Sequence, residues 1–435
     1  MSGVSEVGRR ALAKAAWRLV PFLMLLYFIS FLDRVNIGFA ALTMNKALGL
    51  SASVFGLASG LFFLGYFLLE VPSNLVLRRV GARLWITRIM ITWSIFSAAN
   101  AFVSGAASFY VMRFLLGMAE AGFFPGIILY LSYWFPAHKR AAMIGIFMTA
   151  APLSTAIGSP ISARLLLMDG LWGLAGWQWV FILEALPALV FGIMVLFFLT
   201  DRPEQARWLK DDERAWLVET MRQEREANAG VTAHSVWSGL TDWRVILLSF
   251  VYFGTSVGLY VPSIWGPLMF KQFGLSLVAI GNLNLIPGAA AVIVMVLWGW
   301  SSDRSGERVW HTAIACLISA AGLFYAGVAG SVMAVLVALT LATVGVNATK
   351  GSFWSLPTLY FSGPAAAASI AAINSVGNIG GFVGPYLVGY LKDTTGSYAG
   401  GLWFSGATLV LSAVLVLVLK WAQGRSALAQ AQAGQ

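Results

Sequence analysis

Charge is scarce in this sequence. Only 11% of its 435 residues are Asp, Glu, Lys or Arg, whereas 59% are hydrophobic and the mean hydropathy is +0.79. Soluble domains carry about 25% charged residues because their surface faces water. Apolar runs long enough to cross a bilayer recur from end to end. The composition therefore excludes a soluble globular protein and predicts a polytopic membrane protein.

Cysteine and histidine are nearly missing as well. The single cysteine, Cys316, excludes an internal disulfide and a cysteine-rich metal site. The three histidines (His138, His234 and His311) do not have the spacing of a shared set of metal ligands. The sequence shows neither a nucleophile elbow nor a phosphate-binding loop. We therefore expect a protein that is not an enzyme and that holds no metal or organic cofactor.

Apolar segments predict an all-α fold of twelve transmembrane helices. They cover residues 19–41, 54–77, 84–103, 107–132, 141–166, 179–199, 245–270, 278–300, 309–328, 332–356, 366–391 and 400–421. The polar stretch in the middle of the chain predicts an N-terminal six-helix bundle (1–200), a linker (201–244) and a C-terminal six-helix bundle (245–435). Within the linker, Trp216, Leu217 and Met221 lie among charges, which predicts an amphipathic helix on the membrane surface.

The 28 Lys and Arg residues are distributed unevenly between the loops. If both termini lie on one side, the loops of the other side carry only Lys46, Arg164, Lys271 and Lys392. Cytoplasmic loops are enriched in Lys and Arg, so both termini are predicted to be cytoplasmic. The formal net charge of +10 is thus a topology signal, and no nucleic-acid partner is expected.

The two halves of the chain align weakly at one fixed offset. "RVGAR" at 79–83 overlies "RSGER" at 304–308, and both follow the second span of their half. Tyr27-Phe28 overlies Tyr252-Phe253 at the same offset. Internal repeats of this kind are typical of transporters that alternate access by rocking one half against the other. The repeat therefore predicts two pseudo-symmetric bundles around a central cavity.

The charges inside predicted spans of the first half include a group of four: Asp33, Arg34, Arg113 and Glu120. A charge at the bilayer centre costs about 2.5–3.5 kcal/mol on insertion scales, so such residues usually face protein or water and have a role. With a rise of about 1.5 Å per residue, the first three share one depth and Glu120 lies about 10 Å from Arg113 on the same helical face. The aligned positions of the second half are uncharged. They are Gly258, Leu259, Ala338 and Gly345.

These four charges sum to zero, which suits two functions. Two structural ion pairs that lock helices together would account for them. Alternatively, protonation of the acids would leave net positive charge for an anion, and a bound anion would favour protonation in return because linkage is reciprocal. An arginine offers a fork that fits a carboxylate. The second interpretation is proton-coupled transport of an organic anion.

Several segments resemble the anion:cation symporter family of the major facilitator superfamily, whose members include bacterial galactonate, hexuronate, tartrate and phthalate transporters and animal sialin. They are "YFISFLDRVNIGFA", "GYFLLEVPSN", "MRFLLGMAEAGFFPGIILYLSYWFP", "WQWVFILEALPA", "DRPEQARWL" and "INSVGNIGGFVGPYLVGYL". The resemblance implies that Arg34 and Arg113 hold the substrate carboxylate, that Asp33 and Glu120 carry protons, and that Tyr66 contacts substrate. It also implies that the protein lies in the cytoplasmic (inner) membrane of a bacterium.

A loop signature of the superfamily stands almost intact at "GWSSDRSGER", residues 299–308. The resemblance gives Asp303, Arg304 and Arg308 a gating or structural role. In the first half the pattern departs, because Arg78 replaces the acid and Asn74 replaces the first glycine. The resemblance therefore does not imply the usual gating contacts of this loop for the N-terminal half.

Other polar residues of the predicted spans have two explanations each. Asn374 and Asn378, one turn apart, fit substrate contacts or hydrogen bonds between helices. Trp354 would line the cavity or the membrane interface. Lys350, by its depth in the tenth span, would extend to the cytoplasmic surface, and Glu70 would be structural or gating, pairing with basic loop residues.

The function predicted from these features is uptake of an organic acid anion with protons as the coupling ion. The substrate class covers sugar acids, hydroxy-dicarboxylates and aromatic carboxylates. A proton-coupled antiporter or exporter of the same fold, or a membrane sensor without transport, is the alternative. We expect a monomer in the lipid bilayer.

Overall fold

The computed structural model describes residues 5–227, 242–361 and 363–433. Across those ranges the chain is helical and contains no strand. The first half forms α1 (Glu6–Ala47), α2 (Ala52–Val80), α3 (Ala82–Ala99), α4 (Ala106–Glu120), α5 (Phe123–Trp134), α6 (Ala137–Met148), α7 (Ala150–Leu165) and α8 (Gly176–Phe198). The linker contains α9 (Asp211–Ala227). The second half forms α10 (Trp243–Lys271), α11 (Leu277–Ser305), α12 (Val309–Ala326), α13 (Val332–Tyr360), α14 (Gly363–Thr395) and α15 (Ala399–Ala433).

The helices confirm the predicted twelve-span fold of two six-helix bundles. Within the described ranges, 10 segments are long and apolar enough to cross a membrane, and two of these are broken spans, α4–α5 and α6–α7. The break between α4 and α5 lies at Ala121-Gly122, where Gly122 has a left-handed φ of 86°. α3 and α14 complete the twelve, because α3 packs on α4 and α8 while α14 packs on α2 and α10.

Small residues set the distances between helices. Gly117 of α4 lies so close to the carbonyl of Phe62 on α2 that a Cβ at residue 117 would overlap it. In lipid, burial of apolar surface does not drive helices together, so close packing at small residues contributes much of the association. Large apolar side chains face outward instead. Phe197 is 83% exposed and Ile293 is 61% exposed, as expected of lipid-facing positions.

The linker helix α9 covers one end of the N-terminal bundle, which we call the α9 face; the opposite end is the distal face. Lys14 of α1 donates to Glu213 at 2.7 Å, and this contact holds the pKa of Glu213 below its usual range. A helix forms where the sequence predicts an amphipathic one, and its apolar side packs on protein. Leu217 and Met221 are buried against protein, and Trp216 packs on Gly8 of α1.

The two bundles meet closely at the distal face. A Cβ on Gly288 of α11 would lie 2.6 Å from the backbone nitrogen of Ala156 on α7. At the second contact, Asp393 of α14 accepts hydrogen bonds from the backbone nitrogens of Ala52 and Ser53, at 3.1 and 2.7 Å. The distal half is therefore closed. A central space between the bundles lies at mid-height and toward the α9 face, and a smaller gap bordered by Ser159 lies on the distal side.

Candidate functional site

A central cavity lies between the bundles. Its lining comes from α1, α2, α5 and α6 on one side and from α10, α13 and α14 on the other. Two of the lining side chains in the described chain carry a formal charge, Arg34 and Lys350, and both are cationic. The remaining lining residues are Tyr27, Phe31, Tyr66, Phe124, Met148, Tyr252, Thr255, Ser256, Leu259, Tyr260, Val346, Thr349, Phe353, Trp354, Asn374 and Asn378.

Arg34 is the charged centre of the N-terminal wall. Its Nε donates to Glu120 Oε1 at 2.7 Å, and its Nη2 lies 2.7 Å from the same oxygen. Ser30, one turn earlier on α1, also donates to that oxygen at 2.7 Å. Toward the other bundle, Nη1 of Arg34 donates to the Tyr260 hydroxyl at 3.1 Å. The guanidinium thus connects an acid of its own bundle to the opposite wall.

Asp33 faces away from the cavity, although it precedes Arg34 in the chain. It accepts hydrogen bonds from Trp93 Nε1 at 2.6 Å and from Ser97 Oγ at 2.9 Å, both on α3. Successive residues of a helix point about 100° apart, so one helix can direct an acid into its own bundle and a base into the cavity. The structure therefore brings Glu120 to Arg34 and keeps Asp33 apart from both.

Arg113 is buried between α4 and α2, outside the cavity lining. It is 1% exposed, and its Nε and Nη1 have no hydrogen-bond partner in the part of the chain that the structure describes. The Phe62 ring lies between the two arginines, with its centroid 5.1 Å from Arg113 Cζ and 5.5 Å from Arg34 Cζ. In this conformation Arg34 faces the cavity and Arg113 does not.

The other predicted substrate ligands do line the cavity: Tyr66, Trp354, Asn374 and Asn378. The Tyr66 ring also packs on Arg34, whose Cζ lies 5.1 Å from the ring centroid. Asn374 donates a hydrogen bond to Glu70 of α2, and Ser375 donates to the same carboxylate at 3.2 Å. Asn374 therefore makes a hydrogen bond between two helices and also faces the cavity.

Lys350 and Glu70 lie in surroundings other than those expected from their depth. Lys350 lines the central cavity rather than the membrane surface, so the second half also contributes a charge. Glu70 is 3% exposed and contacts α14 of the opposite bundle instead of basic loop residues. It joins the two bundles on the α9 side of the cavity.

The loop signature of the second half forms a turn at the α9 face. Arg308 pairs with Asp303 at 2.6 Å, and Arg304 lies over the Trp300 ring at 5.4 Å. In the first half, where the acid of the signature is missing, Asp201 in the segment after α8 accepts a hydrogen bond from the backbone nitrogen of Arg83 at 2.8 Å. An acid from a different segment thus occupies the corresponding turn.

Comparison with known proteins identifies the family. Residues 23–385 match the model of the Major Facilitator Superfamily. The chain belongs to this superfamily. It is therefore a multi-pass membrane transporter of a small organic substrate, not an enzyme, and the predicted resemblance is confirmed.

Three individual proteins illustrate the similarity. A protein of Agrobacterium vitis named "Putative tartrate transporter" is 61% identical over 95% of this chain and 92% of its own length. A "Quinolone resistance transporter" of Acinetobacter baumannii is 38% identical over 93% of this chain and 94% of its own. A xylose transporter of Escherichia coli, solved in a partially occluded inward-open conformation, has a TM-score of 0.74 at 16% identity, over 93% of this chain and 97% of that one. The xylose transporter shows the fold alone.

For this superfamily member, the residues missed from sequence are mainly the neutral polar groups of the C-terminal wall. Thr255 and Ser256 of α10 and Thr349 of α13 line the cavity. The signal for α10 was present, because Tyr252, Thr255 and Ser256 recur at helical spacing on one face. Hydroxyl groups are, however, common on buried helix faces, where they often bond to the backbone of their own helix. Spacing alone therefore could not show that these hydroxyl groups line a cavity.

Proposed function

We propose that this transporter takes up an organic acid anion together with protons, and that tartrate is its first candidate substrate. The charge of the cavity supports this proposal, since its charged lining residues in the described chain are cations and its neutral lining offers hydroxyls and amides. The name of the 61% identical relative points to tartrate, a hydroxy-dicarboxylate. Sugar acids and aromatic carboxylates are the other members of the class.

The pair of Arg34 and Glu120 carries the proposed coupling. An ionised Glu120 neutralises Arg34 and competes with a substrate carboxylate for the same guanidinium. A proton on Glu120 weakens that pair and leaves the charge of Arg34 for the anion. Because linkage is reciprocal, the bound anion makes Glu120 a better proton acceptor. Asp33 is the second proposed proton carrier, acting from the α3 side of α1.

The proposed direction is uptake, with the α9 face and both termini in the cytoplasm of a bacterium. The excess of Lys and Arg in the loops of that face supports this orientation. The distal half is closed here, so the cavity would deliver its substrate toward the cytoplasm. No cofactor takes part in this proposal, and protons are the coupling ion.

Uptake by proteoliposomes tests the coupling. An inward proton gradient should drive accumulation of labelled tartrate by the wild type, and Glu120→Gln or Asp33→Asn should abolish that accumulation. Both variants should retain exchange of labelled for unlabelled tartrate, which needs no net proton movement. Glu219→Gln on α9 removes the same charge outside the membrane and serves as the control. Wild-type accumulation by both Glu120→Gln and Asp33→Asn would refute the assigned proton roles.

Export is the second candidate, and the name of the 38% identical relative favours it. A symporter that is given tartrate outside carries protons in with it, so the external medium becomes more alkaline. An antiporter releases protons as the substrate enters, so the medium becomes more acidic. A pH electrode in a weakly buffered suspension of proteoliposomes separates the two functions.

A further inference from the structure

Lys350 places a second cation in the cavity, on the wall opposite Arg34. It lies on α13, and its Nζ is 5.7 Å from the centroid of the Phe31 ring on α1. Phe31 stacks in turn on Tyr260, the residue that accepts from Arg34. The two cations therefore border the same aromatic group, one from each bundle.

The ammonium of Lys350 is held in place but not neutralised. It donates to Asn347 Oδ1 at 2.8 Å, and Nδ2 of that amide donates to the Thr343 carbonyl at 2.8 Å. Lys350 forms no ion pair with a carboxylate of the described residues. Arg34, by contrast, is paired with Glu120. A partly buried cation without a counter-ion is costly, and a ligand anion would relieve that cost.

We propose that Lys350 binds the second carboxylate of a dicarboxylate whose first carboxylate is held by Arg34. This inference rests on the proposed function and narrows its substrate class to dianions. With Glu120 protonated and Arg34 free, a monoanion pairs with one of the two cations and leaves the other without a counter-ion, so the site discriminates against monoanions. Thr255, Ser256 and Thr349, which line the same space, suit hydroxyl groups between the two carboxylates.

Bridging by the substrate also connects binding to the movement of the bundles. Two cations on opposite walls repel each other when the walls approach, whereas a dianion between them attracts both. Closure around the substrate is then favoured over closure of the empty cavity. Rocking of one bundle against the other is the motion expected of this kind of transporter.

Calorimetry on the detergent-purified full chain tests the role of Lys350 with two ligands, tartrate and the monocarboxylate glycerate. The wild type should bind tartrate more tightly than glycerate. Lys350→Met should weaken tartrate binding by about 10- to 100-fold, the range for a lost charged hydrogen bond, and should leave glycerate binding unchanged. Lys350→Arg should retain most of the preference for tartrate. Lys46→Met, on the distal face, removes the same charge outside the cavity and should bind as the wild type does.

Each contrary outcome has a distinct meaning. Unchanged tartrate affinity in Lys350→Met, or an equal loss for both ligands, overturns the assignment of Lys350. A wild type that binds glycerate as well as tartrate overturns the preference for dianions and leaves organic anion transport standing. A wild type that binds neither ligand contradicts the proposed function itself. If Lys350→Met does not fold, Lys350→Gln, which is polar and uncharged, is used for the same comparison of tartrate and glycerate binding.

Discussion

Neighbouring charged residues of one helix serve different parts of this molecule. Asp33 bonds to Trp93 and Ser97 inside the N-terminal bundle, whereas Arg34 pairs with Glu120 at the cavity wall. The acid that competes for Arg34 is therefore far from it in sequence. That partner could not be derived from spacing, because spacing gives depth and helical face but not which helices touch.

Whether Arg113 binds the substrate is a separate question. The resemblance implies a carboxylate ligand, but the Phe62 ring lies between Arg113 and Arg34. Binding of substrate through Arg113 requires that ring to move. We predict that Arg113→Ala lowers tartrate affinity, because the variant loses a positive charge and also the side chain that packs against the Phe62 ring. Calorimetry measures this directly. An affinity equal to that of the wild type would mean that Arg34 and the lining residues suffice.

The double-mutant comparison with Phe62→Ala completes that experiment. If Arg113 acts only by holding the Phe62 ring, the effects of Arg113→Ala and Phe62→Ala overlap and do not add. If Arg113 contacts the substrate after the ring moves, Phe62→Ala alone leaves tartrate affinity largely intact. Contacting residues of this kind typically show interaction energies of about 0.5–3 kcal/mol.

At the scale of helices, the sequence predicts how deep a side chain lies in the membrane but not which way it points. A rise of about 1.5 Å per residue makes the 29 residues of α13 about 43 Å long, well beyond a bilayer core of about 30 Å. Lys350, ten residues before the end of this helix at the α9 face, can therefore extend to the interface or line a cavity between the bundles. The packing of α13 against α11 and α12 decides between these, and Lys350 lines the cavity.

Closure of the distal half depends on the contact between α11 and α7. A methyl group at residue 288 would lie 2.6 Å from Ala156 N, so Gly288→Ala should push the bundles apart there. Overpacking of this kind costs about 1–3 kcal/mol. We expect slower tartrate uptake at equal expression. Gly299→Ala, in the same helix but with open space around the added methyl group, is the matched control.

Thiol labelling reads out that opening. Ser159 borders the gap between the bundles on the distal side, so Ser159→Cys in a Cys316→Ala background reports access from that face. Labelling by a membrane-impermeant maleimide should be faster with Gly288→Ala than with Gly299→Ala. Equal rates would show that this contact does not hold the distal half closed.

For the whole molecule, the sequence predicted the fold well because hydropathy and length carry the main constraint on helices in lipid. The twelve spans and the two bundles follow from those properties. The site was predicted in part. Tyr66, Asn374, Asn378 and Trp354 face the cavity as expected, whereas Arg113 and Asp33 do not line it. Helix depth is a local property, but the neighbours of a buried side chain depend on how separate helices pack.

Orientation in the membrane is a prediction for the molecule as a whole. The single cysteine makes it testable, since Cys316→Ala leaves a background without thiols. In intact cells, an impermeant maleimide should label Lys46→Cys on the distal face and spare Glu219→Cys on α9. Glu219→Cys should react after the cells are made permeable. The reverse pattern would place the α9 face outside.

The pH dependence of tartrate affinity tests the central claim most directly. If Glu120 must take up a proton before Arg34 accepts the anion, wild-type binding should weaken as the pH rises over the range in which both tartrate carboxyls stay ionised. Glu120→Gln, which cannot ionise, should bind tartrate with an affinity that does not change with pH. Wild-type affinity that is constant across this range, or a Glu120→Gln variant that keeps the wild-type slope, would contradict coupling through this pair.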